Sequence, residues 1–145
     1  MFIMTKNNKH TRPAVGVATV VVKDGLIAIG RDTRKGKNIY GVPGGHWESG
    51  ETLKECAIRE VREESGLEVN HVQLISVYDF YRPDKQKSYV TIGMKADYVS
   101  GEFKNLDEEG RLDWQWYKPE EALRLNLFPA DKILIERYLS GVVFE

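Results

Sequence analysis

The sequence has few of the features that mark secreted, membrane or nucleic-acid-binding proteins. It has one cysteine, Cys56, which excludes an internal disulfide and is typical of a reducing compartment. No apolar run approaches the length of a membrane span, and the opening MFIM is too short for the apolar part of a signal peptide. The net charge of −1 gives no overall positive field for a nucleic-acid backbone. We therefore expect a cytoplasmic protein without membrane association or stable nucleic-acid binding.

The pattern of apolar residues predicts an α/β sandwich. No repeat, low-complexity tract or linker divides the chain, so residues 1–145 are expected to form one domain, with 1–11 as a flexible N-terminus. The predicted strands are Ala14–Val22, Leu26–Gly30, His71–Tyr81, Ser88–Val99 and Leu112–Lys118, with a short extended piece at Ile39–Gly45. A central helix is predicted between Thr52 and Gly66, and a last helix at Asp131–Leu139.

The central helix carries glutamates where a simple amphipathic helix has apolar residues. At about 100° per residue, Glu60 and Glu64 project in nearly the same direction as Leu53 and Ala57, and Glu63 lies one step round. Ionised carboxylates that face a core are costly and repel one another. A salt-bridged helix end would explain the charges in part, but a hard cation such as Mg²⁺ compensates them more fully.

The glycines before this helix support a metal site. Gly44 and Gly45 lie in a loop whose backbone can approach a ligand closely, so a main-chain carbonyl could join the carboxylates around a cation. Glycines alone are a weak signal, because turns use them for many other reasons.

Together these residues resemble the Nudix box, G-x5-E-x7-R-E-U-x-E-E-x-G-U, in which U is aliphatic. Gly45 and Glu51 open the pattern, and Arg59 to Leu67 complete it with every defined position matched. The resemblance implies the Nudix α/β/α sandwich with a mixed central sheet. It also implies a divalent-metal-dependent hydrolase, with Mg²⁺ as cofactor and Mn²⁺ as a substitute.

The resemblance implies a role for each matched residue. Glu60, Glu63 and Glu64 would bind metal together with the Gly44 carbonyl, and Glu60 or Glu64 would also place the attacking water. Arg59 would orient Glu60, and Glu51 would brace the loop, although a simple helix-start charge also explains Glu51. Family members often use a further acid from a distant loop, for which Glu109 is the candidate here.

The substrate would be a small nucleotide with a pyrophosphate linkage. Similarity to MutT-like proteins favours hydrolysis of a normal, oxidised or modified nucleoside triphosphate to NMP and pyrophosphate. ADP-ribose or a nucleoside diphosphate sugar is the alternative, since Pro83 lies sixteen residues beyond Leu67. An RNA 5′ end and a non-catalytic nucleotide-binding module stay open as more distant alternatives, and the sequence neither favours nor opposes a homodimer.

Four residues are candidates for substrate contact. Arg31 begins the basic run RDTRKGK, which is either phosphate-facing or a solvated loop, and Gly45 and His46 lie next to the predicted metal ligands. Tyr81 is the candidate for stacking on a base, although core or rim packing explains the aromatic residues at least as well. The other aromatics considered for stacking are Tyr40, Trp47, Phe80 and Trp114.

Overall fold

A computed structural model describes residues 12–104 and 112–141 of the chain. The predicted flexible N-terminus, 1–11, and the candidate metal ligand Glu109 lie outside these ranges. The described residues form strands β1 (Ala14–Lys23), β2 (Leu26–Asp32), β3 (Ile39–Gly41), β4 (Gly44–His46), β5 (Glu68–Arg82), β6 (Lys87–Ser100) and β7 (Leu112–Tyr117). They also form helices α1 (Leu53–Ser65), α2 (Pro119–Ala122) and α3 (Pro129–Ser140), and a 3₁₀ turn at Arg34–Gly36. None of these helices is long and apolar enough to cross a membrane.

The strands form one mixed sheet centred on β1. Its order is β3-β2-β1-β6-β5, with β4 joined to β1 and β7 joined to β2. β1 runs parallel to β6, whereas its pairings with β2 and β4 are antiparallel. The parallel pair explains why β1 is almost continuously apolar, because such a strand is covered on both faces.

Helices cover both faces of the sheet. On one face α1 packs against β1 and β5, with Val21, Cys56 and Val61 in the core. On the other face α3 packs against β1, β5 and β6, with Val20 and Leu134 in the core. The predicted α/β/α sandwich is therefore confirmed.

The site depends on how β1 and β2 separate. They pair only beside their turn, at Val22 with Ile27 and at Lys23 with Leu26. Further on, β4 pairs with β1 and β3 pairs with β2, so the segment Ile39–His46 bridges the two diverging strands. A cavity opens where these strands part.

The ends of α1 follow the predicted signals. The Thr52 hydroxyl accepts a hydrogen bond from the Glu55 backbone N–H at 3.1 Å, and Gly66 adopts the left-handed conformation with φ 83°. The Glu55 carboxylate bonds the Thr52 hydroxyl at 3.1 Å, instead of the Thr52 backbone N–H that a full capping box would use.

Several predicted elements differ from the structure in their bounds, among them β2, which ends at Asp32 instead of Gly30. β5 begins at Glu68, three residues before the predicted start, because His71 (φ 50°) lies at a register shift that interrupts the alternation of apolar residues. α3 begins at Pro129, since proline is compatible with the first turn of a helix. The one-turn helix α2 was not predicted.

Candidate active site

Arg59 of α1 joins the helix to the loop before it. Its Nε and Nη2 atoms donate to the two Glu51 carboxylate oxygens at 2.9 and 2.8 Å, which is a bidentate pair. Nη1 donates to Glu60 Oε1 at 2.7 Å, and Nη2 also donates to the His46 carbonyl at 3.1 Å. The guanidinium holds the pKa of Glu51 at about 2, so Glu51 stays ionised. Arg59 therefore fixes both the loop and the Glu60 carboxylate.

Further hydrogen bonds hold the same loop. Glu51 Oε1 accepts from the Glu48 backbone N–H at 3.0 Å, and the indole N–H of Trp47 donates to the Glu51 carbonyl at 2.9 Å. The buried Cys56 thiol donates to the His46 carbonyl at 3.6 Å, and burial raises its pKa to about 12. Cys56 is therefore a neutral packing residue that also anchors the loop.

Glu60 and Glu64 form a closely coupled pair of acids beside the glycine-rich strand β4. The Glu60 side chain is 12% exposed, and a Cβ added at Gly45 would overlap its carboxyl group. Burial and, next, the charge of Glu60 raise the pKa of Glu64 to about 8, against a hydrogen bond from the Gly44 backbone that lowers it. Burial and the charge of Glu60 therefore both favour the protonated form of Glu64.

Among the described residues, Arg59 connects Glu63 with the Glu60 and Glu64 pair. Its carboxylate accepts from Arg59 Nη1 at 3.2 Å, and its side chain is 58% exposed. Within 12–104 and 112–141, no three His, Cys, Asp or Glu side chains lie together as a ready-made metal site. The structure thus brings Glu60 and Glu64 together and leaves Glu63 at the solvent edge.

A cavity of about 560 Å³ begins at Glu64 and extends between the diverging strands. Its polar side chains include Asp32, Arg34 and His46, and its aromatic side chains are Tyr40, Phe80, Tyr89, Trp114 and Phe128. Phe80 stacks on Tyr89 with ring centroids 5.3 Å apart and meets Phe128 edge-on at 6.3 Å. The cavity lining therefore combines Glu64 with an aromatic wall.

Asp131, in the first turn of α3, is a buried acid in the lining of this cavity. Its Oδ2 accepts from the Val42 backbone N–H at 3.1 Å, while burial raises its pKa to about 7. Gly41 leaves the space that this carboxyl group occupies, because a Cβ there would overlap Asp131 Oδ2.

The structure separates the four residues predicted to contact substrate. Gly45 and His46 line the cavity, but Arg31 and Tyr81 do not. Side chains alternate along a strand, so Gly30 and Asp32 face the cavity while Arg31 between them faces away. For the same reason Phe80 faces the cavity and Tyr81 is 57% exposed.

Sequence reasoning missed Asp131 and Arg34 as residues of this cavity. An aspartate in the first turn of a helix is ordinarily a surface charge that complements the helix dipole, so Asp131 gave no signal. Arg34 belongs to the basic run that was considered, but which member of that run faces inward depends on the turn at Arg34–Gly36.

Comparisons with known proteins identify the family of this chain. The NUDIX domain model matches residues 10–138. An NAD-capped RNA hydrolase, NudC, from Photobacterium profundum is 34% identical over 115 residues, 79% of this chain and 41% of that protein. An ADP-ribose pyrophosphatase from Methanocaldococcus jannaschii is 32% identical over 106 residues, 72% of this chain and 63% of that protein. The chain thus spans less than two thirds of these relatives.

Solved structures share the whole architecture. A MutT NUDIX hydrolase from Burkholderia pseudomallei superposes with a TM-score of 0.74 and 25% identity, over 88% of this chain and 98% of that one. A NUDIX hydrolase from Nitrosomonas europaea, 24% identical, has the same fold with a TM-score of 0.74 over 92% and 93% of the two chains. The matched domain covers nearly the whole sequence, including the Arg59, Glu60 and Glu64 arrangement, and the chain therefore belongs to the Nudix family.

Proposed function

We propose that this chain is a divalent-metal-dependent hydrolase that cleaves a nucleoside triphosphate to NMP and pyrophosphate. One observation carries the proposal: Glu64, which interacts electrostatically with Glu60, lines a cavity that also has an aromatic wall of Phe80, Tyr89 and Phe128. A volume of about 560 Å³ lies in the range of small-molecule sites. A nucleotide would bind with its phosphates beside the acids and its base beside the aromatic rings.

The acids fit Mg²⁺, with Mn²⁺ as a substitute. Nudix hydrolases generally use divalent metals, and Mg²⁺ is commonly held by one or two carboxylates together with water and substrate phosphates. Glu60 and Glu64 provide two such carboxylates, and the raised pKa of Glu64 marks a site where a positive charge would relieve repulsion. We expect Gly44 to contribute its carbonyl, and Glu63 to contribute only if its side chain leaves Arg59.

The residues of the chain then have separate tasks. A bound cation would neutralise phosphate oxygens and lower the pKa of water. Arg59 keeps the Glu60 carboxylate in place, and Glu51 keeps Arg59 in place. Glu64 or Glu60 accepts the proton of the attacking water as its oxygen bonds to phosphorus, and the bridging P–O bond between the NMP and pyrophosphate parts of the substrate breaks.

A nucleoside diphosphate linked to a sugar is the second candidate. The observation in its favour is the similarity to the M. jannaschii ADP-ribose pyrophosphatase. Pro83 sits in the turn between β5 and β6, which is also ordinary turn chemistry. Either substrate would place its pyrophosphate at the same acids.

A substrate panel tests the proposal. Normal, oxidised and methylated nucleoside triphosphates, ADP-ribose and nucleoside diphosphate sugars would be incubated with Mg²⁺, with released pyrophosphate or phosphate measured through coupling enzymes. Glu60→Gln and Glu64→Gln should fold normally and lose most activity, whereas Glu136→Gln, at an exposed position on α3, should keep it. Full turnover by both box variants would contradict the mechanism, and turnover of only the sugar-linked substrates would select the second candidate.

A further inference from the structure

One basic side chain of the run RDTRKGK, that of Arg34, lines the cavity. Arg34 is part of the cavity lining, whereas Arg31, Lys35 and Lys37 are not. Among the described lining residues Arg34 is the single lysine or arginine. A pyrophosphate group carries several negative charges, so a guanidinium in the cavity lining would attract it.

The guanidinium of Arg34 is held in one orientation by Asp32. Nε donates to Asp32 Oδ1 at 3.0 Å and Nη2 donates to Asp32 Oδ2 at 2.9 Å, which is a bidentate fork. The Arg34 backbone N–H also donates to Oδ1 at 2.9 Å. The Asp32 side chain is 19% exposed and that of Arg34 is 52% exposed, so the pair lies at the cavity rim.

The local backbone turns Lys35 and Lys37 towards solvent. Lys35 has φ 53° and Gly36 has φ 73°, both in the left-handed region, and the Lys37 N–H donates to the Arg34 carbonyl at 3.0 Å. This tight turn reverses the chain directly after Arg34, which leaves Lys35 and Lys37 exposed to solvent.

Arg34 also lies within electrostatic reach of the acids. Both Arg34 and Glu64 line the cavity, and their opposite charges attract each other. The guanidinium thus belongs to the same cavity lining as Glu64, beside which the phosphates of the proposed substrate would sit.

We propose that Arg34 binds the phosphate chain of the substrate and that Asp32 is its positioning residue. This inference rests on the proposed function for the identity of the substrate. Arginine has five N–H donors, and the fork with Asp32 uses two of them. The two hydrogens of Nη1 and one of Nη2 are available for phosphate oxygens, in a plane that Asp32 has already fixed.

A phosphate contact predicts a loss that does not depend on the base. Replacing Arg34 should reduce kcat/KM by the same factor for every nucleotide that the enzyme accepts, because the phosphate chain is common to all of them. A contact with the base would instead change the ranking of the substrates.

Binding of inorganic pyrophosphate in the presence of Mg²⁺ tests the role directly. The full chain, Arg34→Gln and the matched control Lys37→Gln would be titrated by calorimetry, after thermal unfolding has shown that all three are folded. Arg34→Gln is expected to weaken pyrophosphate binding about tenfold or more, as for loss of a charge-assisted hydrogen bond. Lys37→Gln, which removes the same charge from an exposed position, should change it less than about twofold.

Two further results separate this inference from the proposed function. Unchanged pyrophosphate affinity in Arg34→Gln, or no binding by the wild type, would overturn the assignment of Arg34 even if nucleotides are hydrolysed. Binding that depends on Arg34 without turnover of any substrate in the panel would overturn the proposed function and leave the assignment intact. Arg34→Lys keeps the charge without the fork, so binding equal to the wild type would refute the positioning role of Asp32.

Discussion

Replacing Asp131 with asparagine should change how the stability of the protein depends on pH. The Asp131 carboxyl group is buried beside Val42, and burial raises its pKa from 3.8 to about 7. The folded state therefore holds a proton that the unfolded chain releases near pH 4. Stability from this proton is complete below the unfolded pKa and is lost as pH rises through about 7.

The size of the effect follows from the two pKa values. Between them, each pH unit costs about 1.4 kcal/mol of unfolding free energy. Between pH 5 and pH 8.5, nearly two pH units lie below the folded pKa of about 7, where this loss occurs. The wild type should therefore lose roughly 2.5 kcal/mol of unfolding free energy through Asp131. Asparagine keeps an oxygen for the Val42 N–H and has no charge to bury, so the variant should lack this contribution.

Urea denaturation at a series of pH values measures the difference. The experiment would be done with a chelator present, so that no cation binds Glu60 or Glu64, and the wild type would be compared with Asp131→Asn and with Asp113→Asn. Asp113 is exposed on β7 and its replacement should leave the pH profile nearly parallel to the wild type.

The decisive quantity is the difference in unfolding free energy between wild type and Asp131→Asn as pH changes. Parallel profiles from pH 5 to pH 8.5 would mean that Asp131 is ionised in the folded protein throughout, and the burial argument would be wrong. If the wild type gained stability relative to the variant as pH rises, the pH dependence would have the opposite sign to the one predicted.

Three further changes test other parts of the site. Gly45→Ala should reduce activity at least about tenfold with little change in melting temperature, because the new Cβ displaces the Glu60 carboxylate from its place beside Arg59 while the backbone stays where it is; steady-state kinetics near wild type would contradict the close approach. Thr52→Ala should cost about 1 kcal/mol in urea denaturation through loss of the helix cap, whereas Thr52→Ser should cost little; equal losses would show that the hydroxyl is not the cause. Mg²⁺ should raise the melting temperature of the wild type but not of a variant carrying Glu60→Gln and Glu64→Gln; the same rise in both would place the metal elsewhere.

Much of the helix and its acids could be predicted because the signals are local. Thr52 and Gly66 mark its ends, and the helical period alone puts Glu60 and Glu64 on one side. The pairing of Arg59 with Glu63 also follows from their spacing of four. These relations need no knowledge of the rest of the fold.

The cavity could not be predicted in the same way because it arises from distant parts of the chain. Period-two alternation says that Phe80 and Tyr81 face opposite sides, but not which side has the cavity. Asp131 reaches the cavity only because α3 packs against β1 and meets the backbone at Val42. The separation of β1 from β2, which opens the space, depends on pairings made by β3 and β4.

The hydrogen bonds of Arg59 have a consequence for altering this protein. Because one guanidinium ties Glu51, Glu60 and the His46 carbonyl together, hydrogen bonds within the chain itself hold the half of the site that would perform the chemistry. The aromatic half shares none of those bonds. Under the proposed function, redesign of base preference should therefore begin at Phe80 or Phe128, where a new side chain would change the cavity wall while the Arg59 hydrogen bonds keep their geometry.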